Sequence, residues 1–207
     1  MRDSSTNALP GEHNALNAAA AAILAHDLGV AWEDVARALD GFRGIDRRLQ
    51  RLGVRPARGG TVTVYDDYGH HPTEIEKTLH ALRAAERPRR LICVFQPHQH
   101  SRTRFLLDEF AQSFTNADAV IVPHIYFVRD TEHEKTLVGA DDLVKRLRDR
   151  GVEAQHIDAF DEIVEHLARW CAPGDLLVVM GAGPVWQVAH NFVDRAQPTG
   201  RAPALAS

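Results

Sequence analysis

Two short segments concentrate the side chains that could do chemistry: Asp66-Asp67-Tyr68-Gly69-His70-His71-Pro72 and Gln96-Pro97-His98-Gln99-His100-Ser101-Arg102-Thr103-Arg104. Of the twelve histidines in 207 residues, four (His70, His71, His98 and His100) fall in these segments. Grouped imidazoles suit contact with a polar ligand, ligation of zinc or iron, or hydrogen bonds that only hold the loops. Side chains of His98 and His100, like those of the pair His70-His71, alternate in direction if the backbone is extended, so four rings do not converge easily and no metal is expected. Asp66-Asp67 is a carboxylate pair suited to ribose hydroxyls or a cation. Arg102 and Arg104 fall in the first turn of an expected helix, where a cation opposes the dipole at a cost of about 0.3–1 kcal/mol each. A bound carboxylate or phosphate would offset that cost, as would salt bridges to acidic neighbours such as Asp108. The scattered His26, His80, His156 and His166 read as solvated side chains.

Each segment needs a strand before it and a helix after it. Short β-branched runs predict strands at Gln50–Val54, Thr61–Tyr65, Leu91–Phe95, Ala119–Val122, Ala154–Ile157 and Leu176–Met180. Amphipathic helices are expected between them: Pro72–Glu86, with Ile75, Leu79 and Leu82 on one face, and one from Ser101 burying Phe105, Leu106, Phe110 and Phe114. Two more are capped by Asp141 and Asp158, and a last one spans about Val185–Val193. Strands alternating with helices predict an α/β fold with a mostly parallel sheet of about six strands, and ligands bind such sheets beyond the carboxyl ends of their strands. Both polar segments lie there, after strands expected to be neighbours. Ahead of the sheet stand two helices, about Asn14–Leu28 and Trp32–Leu39, the first with a narrow Leu16, Ala20, Ile23 and Leu24 stripe. Gly44-Ile45-Asp46-Arg47-Arg48 reads as a hinge, and Arg129–Lys135 as a solvated loop.

Composition narrows the function classes. With 24 Lys plus Arg against 28 Asp plus Glu, a net charge of −4 and 44% apolar residues, the chain has a globular make-up and no basic field for nucleic acid. Apolar runs such as Ala18–Ala25 fall short of the ~20 residues that span a bilayer, and no basic lead precedes them, so a cytoplasmic location and no membrane partner are expected. Cys93 and Cys171 sit in apolar segments without metal spacing and read as reduced core thiols. Gly181-Ala182-Gly183 follows a strand and opens a helix but lacks the third glycine of a dinucleotide fingerprint. The 207 residues contain no GxxxxGK[ST] phosphate loop.

Taken together, Pro10-Gly11-x-His13-Asn14-x-x-Asn17, Gly44-x-x-Arg47-Arg48, Asp66 to Glu74, Phe95-Gln96-Pro97-His98 and Gly181-Ala182-Gly183 make the chain resemble the C-terminal part of the Mur ligases of peptidoglycan synthesis. The likeness runs over nearly its whole length, and the Asp66–Glu74 and Phe95–Arg104 segments resemble the branch that joins L-alanine to UDP-N-acetylmuramate and its close murein-tripeptide relatives. It implies a Rossmann-like C-terminal domain over 44–194, a helical tail of the central ATPase domain over 11–43, and disordered ends at 1–10 and 195–207. It implies ATP and Mg2+ in the complete enzyme, an acyl-phosphate intermediate, and L-alanine and UDP-N-acetylmuramate as substrates. Carried over by motif, Asn14 and Asn17 would contact adenine, Arg48 the ATP phosphates and Asp67 the ribose. Tyr68, His70, His71, His98 and Arg102 would bind the incoming substrate. Related ligases often carry Arg where this chain has Gln99, which removes one charge. The UDP-binding and phosphate-loop portions have no counterpart here, so a complementary chain is the implied partner and the isolated chain is expected to be inactive. A non-catalytic amino-acid-binding, nucleotide-binding or docking module is the main alternative, and a metal-dependent hydrolase using the histidines a further one.

Overall fold

Strands apolar at every position need cover on both faces, and the chain supplies it from its alternating helices. In the computed structural model, which describes residues 11–195, α1 (Glu12–Asp27) and α2 (Trp32–Gly41) come first. The hairpin β1 (Gln50–Ala57) and β2 (Gly60–Asp67) follows, then α3 (Pro72–Glu86), β3 (Leu91–Phe95), α4 (His100–Phe105), α5 (Leu107–Ser113) and β4 (Ala119–Val122). The chain continues with α6 (Glu132–Leu137), α7 (Ala140–Asp149), β5 (Glu153–His156), α8 (Phe160–Trp170), β6 (Leu176–Met180) and α9 (Trp186–Asp194). The expected lead 1–10, and all but the first residue of the expected tail 195–207, lie outside the described residues.

The six strands form one sheet in the order β1-β2-β6-β3-β4-β5, parallel except for the β1–β2 hairpin. Period-two alternation splits each central strand between two cores. Leu91, Cys93 and Phe95 of β3 join Leu176, Val178 and Met180 of β6 under α3, α5 and α7, where Leu79, Phe110, Phe114 and Leu143 are buried. Ile92, Val94, Leu177 and Val179 face α8 and α9 through Ile163, Leu167, Val188 and Phe192. Full burial of each such side chain is worth about 1.5–3 kcal/mol. These two cores hold the carboxyl edge of the sheet rigid.

All six predicted strands form, but several details differ. β6 inserts between β2 and β3, so the two strands that carry the polar segments are not neighbours; Asp67 and Phe95 instead flank Met180 on either side. Asp66 and Asp67 end strand β2 rather than begin a loop, because β6 pairs with them. The helix expected from Ser101 breaks at Leu106 into α4 and α5, which leaves Phe105 69% exposed. α7 starts after Gly139, whose N–H donates to Asp142 at 2.8 Å, and α8 after Ala159, so Asp141 and Asp158 are not the caps. Arg129–Lys135 is not simply a loop: Thr131 caps α6 within it. On α1 the apolar stripe lies open, with Leu16 at 61%, Ile23 at 57% and Leu24 at 62% exposure.

Candidate functional site

Asp67 builds the floor of the first segment. Its carboxylate, almost wholly buried, accepts the N–H of Leu49 at 2.8 Å and of Gly69 at 2.7 Å, which folds residues 67–69 back over the strand end. Only glycine fits at 69: a Cβ there would stand 2.6 Å from Asp67 Oδ1 and 2.9 Å from Met180 Cε. Burial raises the Asp67 pKa, an effect the two backbone donors oppose. Beside it Asp66 is fully buried, its oxygens without a hydrogen bond and Arg47 Nε at 3.4 Å; burial raises its pKa also.

Arg47 ties this floor to the turn after β6. Its Nη2 donates to Gly181 O at 2.5 Å and Gly183 O at 3.4 Å, and its own carbonyl accepts the Tyr68 N–H at 2.6 Å. The Tyr68 ring lies under Arg47 and Arg48, 5.0 and 5.4 Å from their guanidinium carbons, and meets His70 edge-on at 5.5 Å. His70 and His71 donate their N–H groups to Glu74 at 3.0 and 3.1 Å, while His71 Nδ1 accepts from Thr73 N–H at 3.3 Å. This reciprocal cap starts α3 with Pro72 in its first turn.

The second segment is held by a neighbour far along the chain. Residues 97–101 run beside 126–130: Tyr126 N–H donates to Pro97 O at 2.8 Å, Gln99 N–H to Tyr126 O at 3.0 Å, and Gln99 Nε2 to Val128 O at 3.3 Å. Asp130, its side chain 2% exposed, accepts from His100 N–H at 2.5 Å and Ser101 Oγ at 2.6 Å. These donors outweigh burial and lower its pKa. Gln99 itself has φ 70°, and its carbonyl accepts from Thr103 Oγ1 at 2.8 Å. The amide at 99 is therefore directed at the adjacent backbone.

The two segments meet across the end of β6. The His98 ring lies 5.9 Å from that of His70 and 5.5 Å from that of Tyr126. Burial, then the charges of Arg102, His70 and Arg129, lower the His98 pKa and favour the neutral ring; its buried Nδ1 has no hydrogen-bond partner among the described residues. Arg104 forms a double hydrogen bond to Glu134 at 3.0 and 3.1 Å, and Asp108 pairs with Arg146 instead of either arginine. The guanidinium of Arg102, a partly buried residue, makes no hydrogen bond or ion pair with any described residue. The arrangement can hold a small anion against two imidazoles and a phenol ring.

Of the residues singled out by sequence, Tyr68, His70 and His98 meet in this crevice, with Arg48 at its rim 3.6 Å from Glu74 and Arg102 in the short helix α4 that follows His98. His71 is engaged as the α3 cap, and His100 lies beneath, against Phe127 and Asp130. Asn14 and Asn17 are on α1, one turn apart. Among the described residues no three His, Cys, Asp or Glu side chains are grouped to hold a metal. Both thiols are removed from reactivity, Cys93 pushed far up by burial and Cys171 pushed up to about 12. Sequence reading missed Arg47, Tyr126 and Asp130. Arg47 was visible beside Arg48, whereas Asp130 was hidden in a run of alternating charge.

The sequence model of the Mur ligase glutamate ligase domain matches residues 47–183. Over 191 residues the chain is 42% identical to the UDP-N-acetylmuramate–L-alanine ligase of Geobacter sp. (strain M21), covering 92% of this chain and 40% of that protein. It is 38% identical over 189 residues to the enzyme of that name from Acetivibrio thermocellus, covering 91% and 39%. The solved structure of the UDP-N-acetylmuramate-alanine ligase from Thermotoga maritima superposes with a TM-score of 0.72 at 28% identity, over 90% of this chain and 38% of that one. The chain spans about two fifths of the length of the curated relatives it matches.

Proposed function

The chain belongs to the Mur ligase family, and from that premise we propose that it is the amino-acid-binding portion of a ligase that joins L-alanine to UDP-N-acetylmuramate in peptidoglycan precursor synthesis. In that reaction ATP phosphorylates the lactyl carboxylate of UDP-N-acetylmuramate, and the amine of L-alanine attacks the acyl phosphate. A C–N bond forms, the C–O bond to phosphate breaks, and the nitrogen loses a proton. ATP and UDP-N-acetylmuramate as substrates fit a reaction in the cytoplasm.

The observation that carries this reading is Arg102, unpaired, beside a neutral His98 that faces His70 across one strand. Arg102 fits the L-alanine carboxylate as a planar fork of donors. His98 and His70 border the space where the amine would lie. Tyr68 walls the same space, and His71 acts through the loop it caps. Arg48, its side chain half exposed, suits an ATP phosphate oxygen. Asp67 is the ribose ligand of this scheme only through the lone pairs its two backbone donors leave, and Asn14 and Asn17 are assigned to adenine. The phosphate cradle and the Mg2+ ligands belong to a complementary portion, since these 207 residues hold no phosphate loop. Bound there, Mg2+ would neutralise phosphate charge as it develops.

A docking role is compatible with this reading, because the open α1 stripe suits contact with that portion. The metal-hydrolase alternative has no ligand set among the described residues. Titrating the chain with L-alanine by calorimetry should give binding in about the millimolar range, weakened about tenfold or more in Arg102→Gln. No response of the folded chain to L-alanine would contradict the assignment.

A further inference from the structure

Every acidic side chain around the crevice is already engaged. Glu74 takes the His70 and His71 N–H groups and faces Arg48. Asp130 takes His100 and Ser101, Glu134 takes Arg104, and Asp66 faces Arg47. Of the guanidiniums carried by the segments that border the crevice, those of Arg102 and Arg129 make no hydrogen bond or ion pair with a described residue, whereas Arg47, Arg48 and Arg104 are engaged. Arg102 stands on α4; Arg129 stands on the segment that runs alongside it.

The backbone on both sides of Arg129 is clamped to the crevice wall. Val128 O accepts from Gln99 Nε2 at 3.3 Å, and the Asp130 carboxylate holds the N–H groups of His100 and Ser101 at 2.5 and 3.4 Å. Between these clamps Arg129 adopts φ 54°, a conformation that disfavours any residue but glycine, asparagine or aspartate. Its side chain is exposed. A strained, cationic residue with no protein partner, three residues past Tyr126, the bridge partner of His98, is available to a ligand.

We propose that Arg129 is the second carboxylate-binding cation of the crevice, facing Arg102 so that the two guanidiniums clasp the carboxylate of the amino-acid substrate. The assignment rests on reading the crevice as the amino-acid site. The charge of Arg129 acts on the His98 ring together with those of Arg102 and His70, consistent with that position. Two cations that neutralise nothing in the protein repel each other, and a carboxylate between them removes that repulsion while gaining charge-assisted hydrogen bonds. Inorganic phosphate offers related oxygen chemistry, but the ring walls of His70, His98 and Tyr126 leave an apolar margin that suits a small side chain.

The test is calorimetric titration of the 207-residue chain with L-alanine, acetate and inorganic phosphate, with the His98 ring resonances followed by NMR. Arg129→Gln should weaken L-alanine binding about tenfold, equivalent to about 1.4 kcal/mol, and raise the His98 pKa. Arg129→Gly, which accepts φ 54° without strain, should leave the melting temperature unchanged or higher while losing the same affinity. Arg169→Gln, on exposed α8, should bind as the parent does. Unchanged L-alanine affinity in both Arg129 variants, with affinity lost in Arg102→Gln, would overturn the proposal and leave the amino-acid site standing. Arg129-dependent binding of acetate or phosphate without preference for L-alanine would uphold the cation pair and overturn the amino-acid reading. If the parent chain binds none of the three, both fail.

Discussion

Asp130 receives three donors from two residues of α4 with a side chain that is 2% exposed, and this long-range cap fixes the helix that carries Arg102. Nothing in local spacing distinguishes it from the other charges between Arg129 and Lys135. The sequence does make Arg102 stand out, as a cation where a helix dipole disfavours one, but α4 is only six residues long and Arg104 finds Glu134. What separates the two arginines is therefore Glu134, thirty residues away, which pairs with Arg104 and not with Arg102. His98 shows the same dependence on surroundings. Its folded pKa lies below the ordinary histidine range near 6.5, so the unfolded chain takes up the proton first. The stability contributed by keeping His98 neutral is complete above that range and declines as pH falls through it. Thermal melts at pH 7.5 and 5.5 should therefore show the parent losing more stability on acidification than His98→Gln. A residual slope is expected in the variant, because His100 and His166 are lowered as well. An equal slope in the two proteins would contradict the burial and charge environment assigned to His98.

The elements were the most legible level. Strictly apolar runs such as Leu91–Phe95 and Leu176–Met180 can only be strands buried on both faces, and Pro72 with Glu74 marks the start of α3 without ambiguity. Strand order was not legible, since hydrophobicity identifies a buried strand but not its neighbours. The insertion of β6 between β2 and β3 is what spaces the two polar loops to face each other, with Met180 beneath. Gly69 is the point where that spacing is tightest. Gly69→Ala should cost about 1–3 kcal/mol in urea unfolding, because the new methyl meets Asp67 Oδ1 and Met180 Cε. It should also broaden the NMR signals of Tyr68 and His70. A variant as stable as the parent would show that the 67–69 turn does not pack as described.

At the scale of the whole molecule, a rigid two-core sheet is preceded by a pair of helices with uncovered apolar surface. Leu16, Ile23 and Leu24 on α1, and Trp32 and Phe42 at 50% and 45% exposure, are large apolar side chains left open to water. The parallel sheet carries the proposed amino-acid site at its carboxyl edge; the two hollows of about 350 and 360 Å³ lie at the opposite edge, lined by Ala119, Glu153 and Trp170 and by Gly60, Pro88 and Asp175. Mixed charge, with a net of −4, gives no long-range field for a polyanion. The division of labour we propose is specific: this chain would hold the incoming amino acid, and a complementary portion would supply the phosphate cradle, Mg2+ and the UDP-sugar. Product formation measures that claim directly. With Mg-ATP, UDP-N-acetylmuramate and L-alanine, the purified chain should release no phosphate and form no UDP-N-acetylmuramoyl-L-alanine by mass spectrometry. Adding a folded polypeptide that carries the UDP-binding and phosphate-loop portions should produce turnover that is lost with Arg102→Gln. Turnover by the 207-residue chain alone, or none with an ATP-binding complement present, would contradict the account.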